Sequence, residues 1–367
     1  MSAFPNAETR SLRADLDELE RFCIEVLSAV GADAGSASSA ARAMVHGARL
    51  GIDSHGVRLL PHYVRAIEGG RVKGKPVLRF LWETPAIAVL DAGHSHGARA
   101  AYMAMDKAMA MAQVTGIGAV SIRNTSHFGA AGAYALAAAE LGYVGFAFCN
   151  SDSFVRLHGG AERFHGTNPI AMAAPVAGSD PWLLDMATSA IPYNRVLLYR
   201  SLGVPLPDGV ASDGDGLDTH EAGAVEMLAP LGGLFGHKGA GLAGMVEILS
   251  AVLSGMRLSQ DIAPMGGPDF ATPREMGAFV MALRPSAFVT EAEFAAAMVR
   301  YLDGLRSSRA VQGGSVLAPG DREWREAGLR ARLGAPIDPE TWTAFGELAA
   351  RLGVRVLSAR PPAEAAE

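Results

Sequence analysis

Four short polar stretches carry the side chains best suited to chemistry: 53-DSHGVR-58, 124-NTSHFG-129, 166-GTNP-169 and 185-DMATS-189. Each contains small residues and lies at the edge of an apolar run. His55 or His127 can move a proton near neutral pH. Arg58 offers a planar two-point clamp for a carboxylate. Asp185 follows the apolar run Trp182–Leu184 and is suited to orienting an imidazole. Thr167, Asn168, Thr188 and Ser189 can hold ribose, phosphate or amide groups through hydroxyls and backbone N–H. Taken singly, each stretch has a plainer reading. DSH is a helix cap holding a histidine, GTNP is a turn, and ATS is a strand end followed by a cap.

Other motifs give less. The 239-GAGLAG-244 spacing is that of a dinucleotide fingerprint, but loop residues precede it where a strand is required. Its glycines are read as letting a helix start close to another backbone or a phosphate. The Asp-rich 213-DGDGLDTHEAGA-224 fails the EF-hand pattern at its sixth and twelfth positions, so a solvated turn is expected. His94 and His96 in a Gly-flanked loop have no third ligand nearby, so an exposed turn and no metal are expected. No G-x-S-x-G elbow is present.

Composition narrows the class. With 49% apolar and 19% charged residues in 367, the chain has globular make-up and room for two or three lobes. A net charge of −6 without a Lys/Arg cluster argues against nucleic-acid or anionic-membrane partners. The start of the chain lacks an apolar signal core, and no apolar run reaches membrane-spanning length. Cys23 and Cys149 sit in apolar runs without CxxC spacing and fit reduced, buried thiols. A soluble cytoplasmic protein is expected.

The elements that must position these residues can be read from periodicity. Leu12, Leu16, Leu19, Phe22, Cys23, Val26 and Leu27 predict a helix over 9–30. An Ala-rich helix opened by Ser residues follows at about 35–50, then a third through Tyr63 to Ile67. LRFLWETPAIAVLDAG predicts two strands turning at Pro85, and a helix covers 97–114. Strands are expected in IGAVSIR, YVGFAFCN, NPIAMAAP, PWLLDMA and GAFVMALRP, with a loop and helix in SHFGAAGAYALAAAELG. Residues 203–235 read as a long ordered loop. GAGLAGMVEILSAVLSG reads as a buried helix, apolar nearly all round except Glu247. Three helices follow, the last capped by Asp338, and the tail PPAEAAE is polar and frayed. The fold class is α/β of the α+β type. A helical lobe forms from the N-terminal (1–75) and C-terminal (311–367) segments around a central domain (76–310). Its sheet is mixed or mostly antiparallel, not doubly wound.

In order, the blocks DSHGVRLLPHY, NTSHFGAAGAYALAAAELGYVGFAFCNSD, GTNPIAMAAP, LDMATS, LGGLFGHKGAGLAGMVEILSAVLSG and APGDRE resemble the malate/L-lactate dehydrogenase-like family of NAD(P)-dependent oxidoreductases. That family is not the Rossmann-fold lactate dehydrogenases. It includes ureidoglycolate, sulfolactate, diketogulonate and piperideine-2-carboxylate enzymes. The order, spacing and number of blocks make the match specific. The resemblance implies His55 as the proton donor in reduction, supported by Ser54 and Asp185. It implies Arg58 near the substrate carboxylate, with Tyr63 and Thr167 also on the substrate side. It puts His127 beside the nicotinamide, as the acid/base in some members. The NAD or NADP site it implies is lined by His127, Phe128, Gly129, Asn168, Met186, Ala187, Thr188, Ser189, Lys238, Gly239, Pro319, Gly320 and Asp321. It also implies a homodimer. Two departures stand out: 190-AIPYNRV-196 replaces a small-residue, Gly-Lys stretch, and His237 stands where an aromatic often precedes Lys-Gly. Neither separates NAD from NADP.

The expected reaction is hydride transfer to a small 2-oxo acid, giving a malate-, lactate- or sulfolactate-type 2-hydroxy acid. The alternative is reduction of a cyclic ketimine. A further alternative, supported by the altered Gly-Lys stretch, is a non-catalytic small-molecule binding protein.

Overall fold

The structure is a computed structural model and describes residues 12–360. The chain opens with β1 (Leu12–Ala14), α1 (Leu16–Ala29), α2 (Ala34–Arg49), two 3-10 turns (Asp53–His55 and Val57–Leu59) and α3 (Leu60–Glu68). There follow β2 (Arg79–Glu83), β3 (Ile87–Asp91), α4 (Gly97–Thr115), β4 (Ile117–Thr125), α5 (Gly132–Ala139) and β5 (Val144–Cys149). Next come β6 (Val155–Arg156), β7 (Arg163–His165), β8 (Ile170–Ala174), β9 (Trp182–Met186), α6 (Tyr193–Leu202), β10 (Ala211–Ser212) and β11 (Met227–Leu228). α7 (His237–Glu247) runs into a π segment (Ile248–Val252), and β12 (Met276–Leu283), α8 (Glu291–Arg306), α9 (Asp321–Leu333), β13 (Ala335–Ile337) and α10 (Pro339–Leu352) complete the chain.

The helical lobe is made by both ends of the sequence. Leu19, Phe22 and Val26 of α1 share one core with Met44, Tyr63, Val64, Ile337, Phe345 and Leu348. The Phe22 and Phe345 rings lie 5.2 Å apart. The helix expected over 9–30 starts later than its periodicity suggested. Asp15 caps α1 through the Asp17 and Glu18 N–H groups, and Leu12–Ala14 instead pairs antiparallel with Ala335–Ile337. Residues 9–11 and the polar tail lie outside the described residues. α2 is opened by Asp33, whose carboxylate accepts the Ser36 N–H, rather than by its serines.

The central sheet has seven strands in the order β2-β3-β4-β12-β5-β8-β9. β3 and β4 pair in parallel, and the other neighbours run antiparallel, so it is an open mixed sheet and not a doubly wound one. α4 and α5 cover it with Ala100, Ala104, Ala108, Tyr134 and Ala135 against Val120, Ile122, Ala147 and Val280. Alanines on both helices let them sit close to the strands. A four-stranded sheet, β10-β11-β6-β7, and α6 were not visible in the sequence; most of 203–235 is the ordered loop expected.

The expected buried helix is buried on one side only. Ala243, Val246, Glu247, Ser250 and Ala251 face the protein, while Ile248, Val252 and Leu253 are 55–58% exposed. Glu247 is part of the packed side: its carboxylate accepts from Ser259 N–H (2.6 Å), Ser259 Oγ (2.7 Å) and Asn168 Nδ2 (2.8 Å). Gly239 is needed in this helix, because a Cβ there would overlap the Leu231 carbonyl oxygen. His96 also differs from expectation: it is buried, and its Nδ1 accepts the Ala98 N–H at the start of α4. Asp213 forms the expected turn, accepting the Asp215 and Leu217 N–H groups. Among the described residues no helix is long and apolar enough to cross a membrane, and no three His, Cys, Asp or Glu side chains converge as a metal site.

Candidate active site

The first 3-10 turn places Ser54 and His55 between α2 and α3. It is seated on α2: Ile52 N–H bonds Gly47 O, and a Cβ on Gly47 would lie 2.9 Å from His55 O. The capping reading of this stretch is not what forms. α3 follows Leu59 without a side-chain cap, and Asp53 instead accepts two hydrogen bonds from Arg330, at 2.5 and 3.0 Å.

His55 Nδ1 lies 2.9 Å from Ser54 Oγ. Its ring stacks on that of His127, with centroids 5.8 Å apart and planes at 20°. His127 comes from the loop between β4 and α5, so strand, loop and turn bring together two imidazoles 72 residues apart. Tyr63 of α3 lies 2.8 Å from His127 Nδ1. The Tyr63 hydroxyl makes no other hydrogen bond among the described residues, and Tyr63 is 2% exposed; with the phenol donating to Nδ1, the proton of His127 sits on Nε2. His96 meets the Tyr63 ring edge-on at 4.1 Å.

Burial dominates the electrostatics. It lowers the pKa of His55 and lowers that of His127 further, with His55, Arg274, His62 and His96 adding to the second effect. Burial pushes the Tyr63 phenol up, against the opposing Arg274 charge. All three groups are therefore neutral at pH 7.

Arg274 is the residue that sequence reasoning missed. It sits just before β12, is 2% exposed, pairs with Asp152 and donates from Nε to Ala263 O (2.9 Å). Its Nη1 is buried with no partner. Its charge acts on His62, Tyr63 and His127. An arginine between a Pro and a strand has no distinctive spacing, so nothing in the sequence marked it. Arg58, by contrast, is exposed on the second 3-10 turn, makes no ion pair among the described residues, and is not among the charges that act on either histidine.

Asp185 is half-buried on β9, and desolvation raises its carboxyl to about 6, against the Gly132 hydrogen bond that lowers it. Its Oδ2 accepts the Gly132 N–H (2.9 Å) at the start of α5 rather than bonding an imidazole. Free N–H groups at a helix start attract a carboxylate. Among the described residues no hydrogen bond joins Asp185 to His55.

Several expected cofactor residues are committed inside the protein. Asn168 is fully buried and bonds Ala243 O, Glu247 and the Ser151 N–H. Thr188 Oγ1 donates to the Thr167 and Asn168 carbonyls, and Ser189 Oγ to Ile191 O. The Phe128 ring packs on Tyr134 in the core. Asp321 pairs with Arg306 and accepts the Ala318 N–H, Pro319 O accepts the Leu183 N–H, and Gly320 packs against Leu183. Thr167, Met186 and Ala187 are partly exposed, Gly129 lies 3.8 Å from Tyr63 Oη by its Cβ direction, and Lys238 is exposed over the Phe235 ring. An open cleft of about 710 Å³ runs along α8 beside Val299 and Arg300, and one of about 190 Å³ lies between α1, α2, α4 and α5. Neither touches the two histidines, so chemistry rather than concavity locates the site.

A family model described as malate/L-lactate dehydrogenase matches residues 14–345. The chain belongs to this family. Malate dehydrogenase of Pyrococcus abyssi is 36% identical over 354 residues, covering 94% of this chain and 96% of the relative. The (2R)-3-sulfolactate dehydrogenase (NADP(+)) of Chromohalobacter salexigens is 33% identical, over 84% of this chain and 89% of its own. Ureidoglycolate dehydrogenase (NAD(+)) of Escherichia coli is 32% identical, over 76% and 78%. The malate dehydrogenase structure from Pyrococcus horikoshii superposes with TM-score 0.87 at 34% identity, covering 95% of this chain and 97% of that one. A piperideine-2-carboxylate reductase structure from Pseudomonas syringae gives 0.81 at 30%, covering 92% and 99%. As a malate/L-lactate dehydrogenase family member, this chain is an oxidoreductase.

The family's relatives use NAD(+) or NADP(+). The residues here fit a dinucleotide at one visible place. α7 starts without a side-chain cap, with His237 and Lys238 exposed, a geometry suited to a phosphate.

Proposed function

We propose that the chain is an NAD(P)H-dependent reductase of a small 2-oxo acid, yielding a malate- or sulfolactate-type 2-hydroxy acid. The observation that carries this reading is the paired imidazole site, His55 on His127, beside a buried arginine with an unused Nη1. A bound NAD(P)H would supply hydride; Lys238 and the start of α7 would hold a phosphate, and the partly exposed Thr167, Met186 and Ala187 would contact the cofactor.

Arg274 Nη1 takes the substrate carboxylate, in the role first given to the exposed Arg58. His127, with Nδ1 occupied by Tyr63, offers its Nε2–H to the substrate oxygen and polarises the carbonyl. His55, neutral at rest, first takes up a proton at its half-exposed edge and then gives it to the developing alkoxide. Its partner Ser54 is a hydroxyl able to donate or accept, so His55 can load and release a proton without losing that bond. Asp185, held by Gly132, supports the site as a carboxyl near neutrality. The buried thiols of Cys23 and Cys149, free of disulfides, suit a reducing cytoplasm. The exposed apolar side of α7 and its π segment is the face a second copy would cover in a homodimer.

The likeness to a piperideine-2-carboxylate reductase supports a second reading, in which the same groups reduce a cyclic C=N bond. Rates of NADH and NADPH oxidation with oxaloacetate, pyruvate, sulfopyruvate and piperideine-2-carboxylate separate the two. Failure to bind either cofactor in a nicotinamide fluorescence titration would remove both.

A further inference from the structure

α9 joins two parts of the site that are far apart in sequence. Its start is pinned to β9: Leu183 N–H bonds Pro319 O at 3.3 Å, and the Trp324 indole N–H bonds Pro181 O at 2.8 Å. Its last turn carries Arg330, whose side chain is 2% exposed. The Arg330 guanidinium donates to Ala48 O at the end of α2 (2.7 Å) and, through both terminal nitrogens, to the Asp53 carboxylate. Its Nε lies 3.3 Å from Glu326. From Asp321 to Arg330 the helix spans roughly 14 Å at about 1.5 Å per residue.

Asp53 begins the three-residue turn that holds Ser54 and His55. Such a turn has few backbone bonds of its own: His55 N–H to Ile52 O and Gly56 N–H to Asp53 O. A two-pronged bond to a buried guanidinium fixes the plane of the Asp53 carboxylate, and with it the backbone one residue before Ser54. The same guanidinium holds Ala48 O, so turn and helix are tied at one point. Exposed ion pairs contribute little, but this cation is buried and grips two elements at once.

We infer that Arg330 and Asp53 are positioning residues. Through them α9 sets the orientation of the Ser54–His55 pair relative to His127 and β9. Neither residue touches substrate. The inference rests on His55 being the working acid in the function proposed above.

The test uses the full chain with Arg330→Lys, Asp53→Asn and both together. Lys keeps the charge and loses the fork, while Asn keeps the shape of the half-exposed Asp53 and still offers Arg330 an amide oxygen. With whichever substrate the wild type reduces, kcat is expected to fall about 10- to 100-fold in each single variant, with KM and cofactor affinity changed less than about threefold. The double variant is expected to be no slower than the slower single one, because both break one contact. The alkaline limb of the kcat–pH profile, where the acid loses its proton, shifts with the same variants. A kcat within about twofold of wild type in both single variants overturns the inference, as does a loss that matches the loss of folded, cofactor-binding protein. Imidazole NMR gives a readout independent of turnover. The His55 signal, identified with His55→Asn, is expected to move in Asp53→Asn while that of the exposed His220 stays. If the wild type reduces no substrate, the proposed function fails, and an unmoved His55 signal would still reject the positioning role by itself.

Discussion

Tyr63 Oη and His127 Nδ1 lie 2.8 Å apart, and this bond decides which nitrogen of His127 carries its proton. Tyr63→Phe keeps the ring against His96 and removes the donor. Leaving one partner of a buried hydrogen bond unpaired costs about 1–3 kcal/mol, or roughly ten- to a hundredfold. The loss is expected in kcat, with KM little changed, in steady-state assays. An unchanged kcat would show that the tautomer of His127 does not matter.

His55→Ala is expected to lose about 10²–10⁴-fold in turnover, the usual contribution of a general acid. NADH or NADPH binding, followed by nicotinamide fluorescence, is expected to survive. Near-normal kcat would move the proton to His127.

Arg274 and Arg58 make opposite predictions. Arg274→Lys keeps charge beside Asp152 but cannot also present a second N–H from a rigid fork. Its KM for the carboxylate substrate is expected to rise by about one to two powers of ten, the worth of a hydrogen bond to a charged group. Arg58→Ala is expected to leave KM within about twofold, as surface changes usually do. The reverse pattern would return the carboxylate to Arg58.

Acid is expected to weaken the fold. Burial lowers His96 to about 3, and burial with Arg274, Arg65 and Arg71 lowers His62 to about 4, from an ordinary 6.5. The unfolded chain takes up these protons first, so stability present above pH 6.5 is lost as pH falls toward 4 and 3. Each group contributes a slope of about 1.4 kcal/mol per pH unit in that window. Asp185 acts oppositely: its carboxyl is raised from 3.8 to about 6, so its contribution is present below 3.8 and lost as pH rises through 6. One raised carboxyl is outweighed by the two lowered imidazoles. Urea midpoints are expected to be lower at pH 5 than at pH 7.5, and a higher one at pH 5 would contradict the account.

The apolar face of Ile248, Val252 and Leu253 predicts a dimer in light scattering. Val252→Arg is expected to give monomer without loss of helix content. A wild type that is monomeric at micromolar concentration would remove the homodimer.

Elements whose signals are local were legible in the sequence. α8 has a capping box of Thr290 and Glu293, and α10 is capped by Asp338, so both ends were marked by neighbours in the chain. β1 and β13 were not legible, because the three residues of β1 find their strand partners, β13 and Arg360, only across more than 300 residues. The polar residues of the site show the same division. A hydroxyl such as Thr188 or an amide such as Asn168 suits a ligand and a carbonyl equally, and here both are taken by carbonyls.

The sequence by itself determined the family, the order of the main helices and of the seven central strands, and the presence of two histidines with a carboxylate and a phenol. Residue type decides what a group can donate or accept, and these types were on the page from the start. Only the tertiary structure decided who meets whom: Tyr63 with His127, Asp185 with Gly132, Asp53 with Arg330, and Arg274 with Asp152. Those pairings depend on the packing of elements distant in the chain, because a hydrogen bond forms only within about 3 Å.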